Sequence, residues 1–193
     1  QRSFIWWIIN RLLFLAAVGS IQGFTQYYLR DVIRVANPAS ATAQLLAVVG
    51  LFLVISAPAG GALADRFGLK RMVRLAGFGA AGGALLLIFA RSMPLVMVGG
   101  AIIGLSTGTF MATNWALGTE LVPAGEAGRY LGISNLAGAG AGIVGAGIGG
   151  PLADFFNAIQ PGLGYLVIFS IYAALLLISV LVLARIQSPQ AAE

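Results

Sequence analysis

At 193 residues, the chain is 59% hydrophobic and only 9% charged. Soluble domains carry about 25% charged residues, so an ordinary soluble globule is excluded. There is no His and no Cys, which removes the usual haem, iron–sulfur, zinc and thiol chemistries and makes a Ser–His dyad impossible, so neither a cofactor nor enzymatic catalysis is expected. The net charge of +5 sits at the ends of apolar runs, where it sets membrane topology, and not in a patch suited to nucleic acid.

Six apolar runs follow one another, at 4–29, 42–64, 73–90, 94–118, 128–150 and 162–185. Each is near or above the roughly 18 residues that mark a membrane-spanning helix. A membrane barrel would show alternating segments of about ten residues, and these runs do not alternate. The chain therefore reads as an all-α membrane protein, one six-helix transmembrane bundle over residues 1–193. Its six carboxylates, Asp31, Asp65, Glu120, Glu126, Asp154 and Glu193, lie at helix ends, in loops or in the tail. None is available for a proton relay through the middle of the bundle. The first residue is Gln1 and no cleavable signal pattern precedes the first run, so the chain is expected to be part of something longer.

The first helix carries Asn10, Arg11, Gln22, Thr25 and Gln26. At 100° per residue, Arg11 and Gln22 differ by about 20° and Gln22 and Gln26 by about 40°, so they share a face. Arg11 lies about 10 Å beyond Phe4 along the helix. A charge at that depth either faces water or a partner, or snorkels to the interface. Tyr27 and Tyr28 fit an aromatic belt. The second helix ends in Gly61-x-x-x-Asp65-Arg66-x-Gly68-x-Lys70-Arg71, a tight turn followed by a basic cluster. The third and sixth helices are almost devoid of polar side chains and are expected to face lipid. The fourth carries Ser106, Thr107, Thr109, Thr113 and Asn114; its hydroxyls either line a path or bond back to their own backbone. Trp115 fits an interfacial position. The fifth holds Gly138-x-x-x-Gly142 and Gly145-x-x-x-Gly149, spacings that allow close helix contact. Pro58 and Pro151 are candidate kinks.

"LADRF" (63–67) at the end of the second helix has a partner, "LADFF" (152–156), at the end of the fifth. Each has a glycine four residues before its Asp: Gly61 before Asp65, and Gly150 before Asp154. Helices one to three thus align with helices four to six at an offset of 89 residues. Three helices are an odd number, so the two copies face opposite sides of the membrane, an inverted-topology repeat typical of secondary transporters. The plainer alternative is that Gly and Asp simply end helices.

The Gly61–Asp65–Arg66–Gly68–Lys70–Arg71 loop resembles the signature loop of the major facilitator superfamily, which joins the second and third helices of each six-helix half. Leu69 departs from the usual basic residue after Gly68. The stretches "FIWWIINRLLF", "YYLRDVI" and "TNWALGTELVPAGEAGRYLGISNLAGAGAG" are similar to the C-terminal half of sugar-type bacterial members, with Asn114 standing where an acid is expected. The resemblance implies one six-helix half of a secondary active transporter, of symporter type, that moves a small polar solute such as a sugar across a bacterial cytoplasmic membrane by alternating access. Its partners would be the lipid bilayer, a second six-helix half and the solute. The candidate solute path is Arg11, Gln22, Gln26, Thr113 and Asn114, between the repeat-equivalent helices one and four. The loop would act as a latch, with Asp65 docking on a helix N-terminus of the other half. Gly150 and Asp154 would be its outer copy. The alternative is a non-transporting membrane scaffold with the same fold.

With the N-terminus in the cytoplasm, Arg2, Arg66, Lys70, Arg71, Arg74, Arg129 and Arg185 lie inside, and Arg30, Arg34 and Arg91 outside. This asymmetry favours cytoplasmic termini. In right-side-out vesicles, an impermeant thiol reagent should label Asn157→Cys and spare Leu69→Cys. The opposite pattern would overturn the topology.

Overall fold

The computed structural model describes residues 2–122 and 126–187, so Glu193 and the loop around Pro123 lie outside it. Six helices account for nearly all of these residues: α1 (Arg2–Tyr28), α2 (Pro38–Phe67), α3 (Leu69–Phe89), α4 (Met93–Glu120), α5 (Ala127–Ile159) and α6 (Leu163–Val182). All six are long and apolar enough to cross a membrane.

Local chemistry sets the helix ends. α1 passes into a π-helical turn (Leu29–Ile33) and stops at Arg34, which adopts a left-handed φ of 59°. Asn37 then caps α2: its Oδ1 accepts from the Ser40 N–H at 3.0 Å, and Pro38 occupies the first turn, where no N–H is needed. α2 therefore begins before its apolar run. Its 30 residues span about 45 Å, more than the hydrocarbon thickness, so its ends lie in the headgroup zones. α2 and α3 are joined by Gly68 alone, at φ 90°, a conformation that costs other residues steric strain. α5 likewise outruns its apolar stretch and carries Pro151, Asp154 and Asn157 within the helix. Both α2 and α5 remain helical through their internal prolines.

The packing follows the repeat. α4 packs chiefly on α2 and α3, whereas α1 packs on α5 and α6, and α3 meets α6. The first helix of each three-helix unit thus lies against the second and third helices of the other unit. This exchange is what a pair of inverted repeats produces.

Small residues make these contacts close. On α4, a Cβ added to Gly100 would overlap Leu45, one on Gly104 would fall on the Val49 carbonyl, and one on Gly108 on the Leu53 carbonyl. This Gly-x-x-x-Gly-x-x-x-Gly stripe lets the α2 and α4 backbones touch. On α5 the close approaches are at Gly145, against Ser20 and the Ala16 carbonyl of α1, and at Gly149, against Tyr172 and Phe24. Gly138 makes only ordinary contact and Gly142 faces open space, so only the second of the two predicted spacings serves helix packing.

The expectation that α3 and α6 face lipid can apply to one face of each, where Leu75, Phe78, Phe89, Ile178 and Leu181 are exposed; the other face packs in the bundle. Met72, Val73, Ala76, Ala80, Ala84 and Leu87 of α3 are buried, as are Tyr165, Ile168, Phe169, Tyr172, Ala173 and Leu176 of α6. Lack of polarity did not decide the matter, because small apolar residues pack as readily on protein as on lipid. The most open helices are α2 and α5, whose Leu51, Val54, Ile55, Leu136, Ile143 and Ile148 side chains are all exposed.

Gly104→Val places a branched side chain against the α2 backbone and should destabilise the protein by about 1–3 kcal/mol or more. Gly142→Ala enters open space and should be neutral or stabilising by about 0.5–1 kcal/mol, because alanine favours the helix. Thermal unfolding in detergent measures both, and equal melting temperatures for the two variants would contradict this packing.

Candidate functional site at the junction of helices one and four

Among the described residues, the largest group of buried polar side chains lies where α1 meets α4. Asn10 and Asn114 are 1% and 0% exposed. Asn114 Nδ2 donates to Asn10 Oδ1 at 2.9 Å, and Asn10 Nδ2 donates to the Ser179 carbonyl of α6 at 2.8 Å. Arg11 Nη1 donates to Asn114 Oδ1 at 3.3 Å. The Trp7 indole N–H donates to the Asn114 carbonyl at 2.9 Å. Gly118 permits this, since a Cβ there would overlap the Trp7 ring. One turn further along, Phe14 and Phe110 stack with centroids 3.6 Å apart. Asn114 is thus held through its carbonyl, its amide nitrogen and its amide oxygen at once, as a polar group away from water must be.

The five solute-path candidates divide between this junction and the helix above it. Arg11 and Asn114 belong to the junction. Thr113 is buried and bonds back to the Thr109 carbonyl at 2.7 Å. Gln22 is half-buried and Gln26 exposed, further toward the other end of α1. Trp7, Ser179 and the pairing role of Asn10 escaped the sequence reading. Trp7 lies four residues before Arg11, on the same helix face, and that spacing was the available signal. Ser179 takes part through its carbonyl, which no side chain announces.

At one end of the bundle, the α2–α3 junction and α4 line an open cavity of about 850 Å³, with Asp65, Arg66, Gly68, Lys70, Arg71, Thr119 and Glu120 among its walls. Asp65 and Arg66 are exposed, and the Arg66 guanidinium lies 5.6 Å from the Phe67 ring centroid. Gly61 is half-buried, with open space where a side chain would be. Lys70 donates to the Ile186 carbonyl and so ties the end of α6 to the turn, while Arg71 is exposed.

A second cavity, of about 500 Å³, lies at the opposite end and is lined by Tyr27, Arg30, Asp31, Gly150, Ala153, Asp154, Asn157 and Tyr165, with Phe24. The two are copies under the 89-residue offset. Asp65 corresponds to Asp154, Gly68 to Asn157, Thr119 to Arg30 and Glu120 to Asp31. The chemistry has diverged. Arg30 pairs with Asp31 at 2.6 Å, and the Tyr165 hydroxyl also donates to Asp31. Asn157 accepts from the N–H groups of Gly162 and Gly164 and caps α6, where Gly68 alone makes the turn in the first copy. Tyr28 is buried, and its hydroxyl, shared between the Leu87 and Ala90 carbonyls, closes the end of α3, so the belt expectation is corrected for Tyr28; of the two tyrosines only Tyr27 is exposed.

Residues 1–156 match the family of MFS/sugar transport proteins. The chain belongs to that family. It is an integral membrane protein of a transporter family, not of an enzyme family. Over 84 residues, 44% of this chain and 16% of the relative, it is 33% identical to the protein named "Putative polyol transporter 2" of Arabidopsis thaliana. Its fold is similar to the inward-open conformation of the xylose transporter XylE from E. coli, with a TM-score of 0.73 and 19% identity, covering 97% of this chain and 48% of that one. The MFS chain therefore spans about half the length of that transporter.

In this MFS chain, Asn10→Ala removes the acceptor of the Asn114 amide and the donor to Ser179. It should cost about 1–3 kcal/mol through unsatisfied buried groups. Gln26→Ala, at an exposed position, should shift stability by less than about 0.5 kcal/mol. Chemical unfolding in mixed micelles separates the two, and equal effects would show that the buried network does not support the junction.

Proposed function

We propose that the chain is the C-terminal half of a secondary transporter that carries a small polar solute, such as a sugar or polyol, by alternating access. One observation carries this reading: the Gly61–Arg71 turn lines a cavity at the end of α4 with Asp65 exposed, and the same architecture recurs at the opposite end around Asp154. A bundle with one docking recess at each face has the parts needed to close against a partner on either side. The fold similarity and the polyol and xylose transporters among the similar proteins support it.

In this reading the open, apolar faces of α2 and α5 pack on the second six-helix half, and α1 and α4 line the solute path between the halves. Gln22, Gln26, Thr113, Asn114 and Arg11 face or support that path. Asp65 docks on a helix N-terminus of the other half, where its charge meets the positive end of the helix dipole and unpaired N–H groups. Such a contact is worth about 0.3–2 kcal/mol, strong enough to bias one access state and weak enough to break in each cycle. Arg66 and Arg71 hold the turn at the anionic inner leaflet of the cytoplasmic membrane, with both termini on that side. Lys70 ties the turn to α6, so the latch and the end of the bundle move as one body.

Asp65→Asn keeps size and hydrogen bonding but removes the charge. A loss of about 1.4 kcal/mol in one state changes the balance between access states tenfold. Solute uptake, together with cysteine accessibility of the inward and outward faces, should report that shift in the complete transporter. Asp154→Asn, already beside the Arg30–Asp31 pair and without basic followers, should shift it less. Unchanged uptake and accessibility in a normally inserted Asp65→Asn protein would defeat the latch.

A further inference from the structure

Arg11 is more deeply committed than its partners justify. It is 5% exposed and lies nine residues into α1, about 14 Å from Arg2 along the helix. A guanidinium offers five N–H donors. Here Nη1 reaches Asn114 Oδ1, and Nε is buried with no hydrogen-bond partner among the described residues. Trp115 and Trp7 lie 5.2 and 5.9 Å from the guanidinium carbon. Indole faces attract the charge but supply no ordinary hydrogen-bond acceptor. Among the described residues, the ion pair is Arg30–Asp31, at the far end of α1. Glu120, the carboxylate of α4, is exposed and lies six residues past Asn114, about 9 Å along the axis. A cation inside a membrane-spanning helix pairs with a carboxylate, backbone carbonyls or cavity water, and among the described residues the junction offers this guanidinium one amide oxygen and no carboxylate.

The surroundings also define what is missing. The bonds run in one direction, from Arg11 to Asn114 to Asn10 to the Ser179 carbonyl. Asn114 spends its amide oxygen on Arg11, and its nitrogen is already committed to Asn10, so the amides anchor one edge of the guanidinium and leave Nε for another acceptor. Trp115 is 37% exposed and its ring lies 5.2 Å from the guanidinium carbon, so it is the partly exposed neighbour past which an acceptor would reach Arg11. One cation balances one negative charge, and the planar fork fits a carboxylate through two parallel hydrogen bonds. A doubly charged phosphate would remain half uncompensated.

We propose that the α1/α4 junction is a carboxylate-binding site in which Arg11 receives a single carboxylate past Trp115. This rests on the reading of α1 and α4 as the solute path. The carboxylate has two available sources: an acidic group on the transported solute, or an Asp or Glu of the second half in one access state.

The test uses the complete transporter in lipid nanodiscs and in proteoliposomes. Tryptophan fluorescence is followed while sodium glucuronate is added, with glucose as the uncharged counterpart, for wild type, Arg11→Gln and Arg11→Lys. The lysine variant keeps the charge and controls for misfolding of the glutamine one. A saturable glucuronate response, weakened at least tenfold in Arg11→Gln and less in Arg11→Lys, with no such dependence for glucose, establishes the site with the solute as source. No glucuronate response, but loss of solute exchange in Arg11→Gln that is restored by neutralising one carboxylate of the second half, establishes the site with the protein as source. If glucuronate gives no response and Arg11→Gln exchanges neutral solute within twofold of wild type, the carboxylate site is wrong while transport stands. If Arg11-dependent glucuronate binding is present but no solute crosses the membrane, the site stands and the transport reading falls.

Discussion

A polar group inside hydrocarbon has no water to turn to, and the bundle is arranged around that constraint at Asn114. Its carbonyl takes the Trp7 indole, its amide nitrogen serves Asn10, and its amide oxygen takes Arg11. Asn10 passes the connection on to the Ser179 carbonyl. Three helices, α1, α4 and α6, are thereby held at one level of the membrane by bonds that would be costly to leave unmade. The stacked Phe14–Phe110 pair continues the same seam in apolar form. Because α1 and α4 begin the two repeats, the bonds join the units at the line where they exchange partners.

Elsewhere the bundle relies on close backbone approach. There is little hydrophobic gain from moving a leucine between lipid and protein, so van der Waals contact at small residues takes over. The glycine stripe of α4 against α2, and Gly145 and Gly149 of α5 against α1 and α6, are two solutions to the same packing problem. The repeat relates the helix pairs but not the glycines, which lie on the first helix of a repeat in one case and on the second in the other. The polar junction breaks the symmetry as well. Under the 89-residue offset Arg11 corresponds to Gly100 and Asn114 to Thr25, whose hydroxyl bonds to its own backbone at Ile21. The two terminal cavities have kept their positions while changing their chemistry. An exposed Asp65 with basic neighbours stands at one, and an Arg30–Asp31–Tyr165 cluster stands near Asp154 at the other.

Much of this was legible in the sequence, because the strongest constraints act on composition and spacing. Six apolar runs announce six spans, and a Gly–Asp turn repeated at a fixed offset announces a duplicated unit. The family resemblance of the basic loop agrees with the family match. What the sequence hid depends on which face of a helix meets which neighbour. The burial of α3 and the openness of α2 cannot be told from hydropathy, since lipid and protein surfaces are alike apolar. Gly100, Gly104 and Gly108 were in plain view, but the polar residues between them drew attention to the same helix for a different reason. Lys70 read as part of the basic latch loop, and its bond to the Ile186 carbonyl past the end of α6 was not legible. Contacts to backbone carbonyls, such as those of Ser179 and Ile186, leave no residue-type signature at the accepting end.

The central claim is that the Asn10–Asn114 bond couples α1 to α4 and is more than two polar residues placed side by side. A double-mutant cycle on the complete transporter, with Asn10→Ala, Asn114→Ala and the pair, measures that coupling by reversible unfolding in bicelles or mixed micelles. Hydrogen bonds between membrane helices contribute about 0.6–2 kcal/mol, so the account predicts a coupling energy in that range, with the double variant less destabilised than the sum of the singles. Strict additivity within about 0.3 kcal/mol would contradict it and would leave the junction held by aromatic and glycine packing alone.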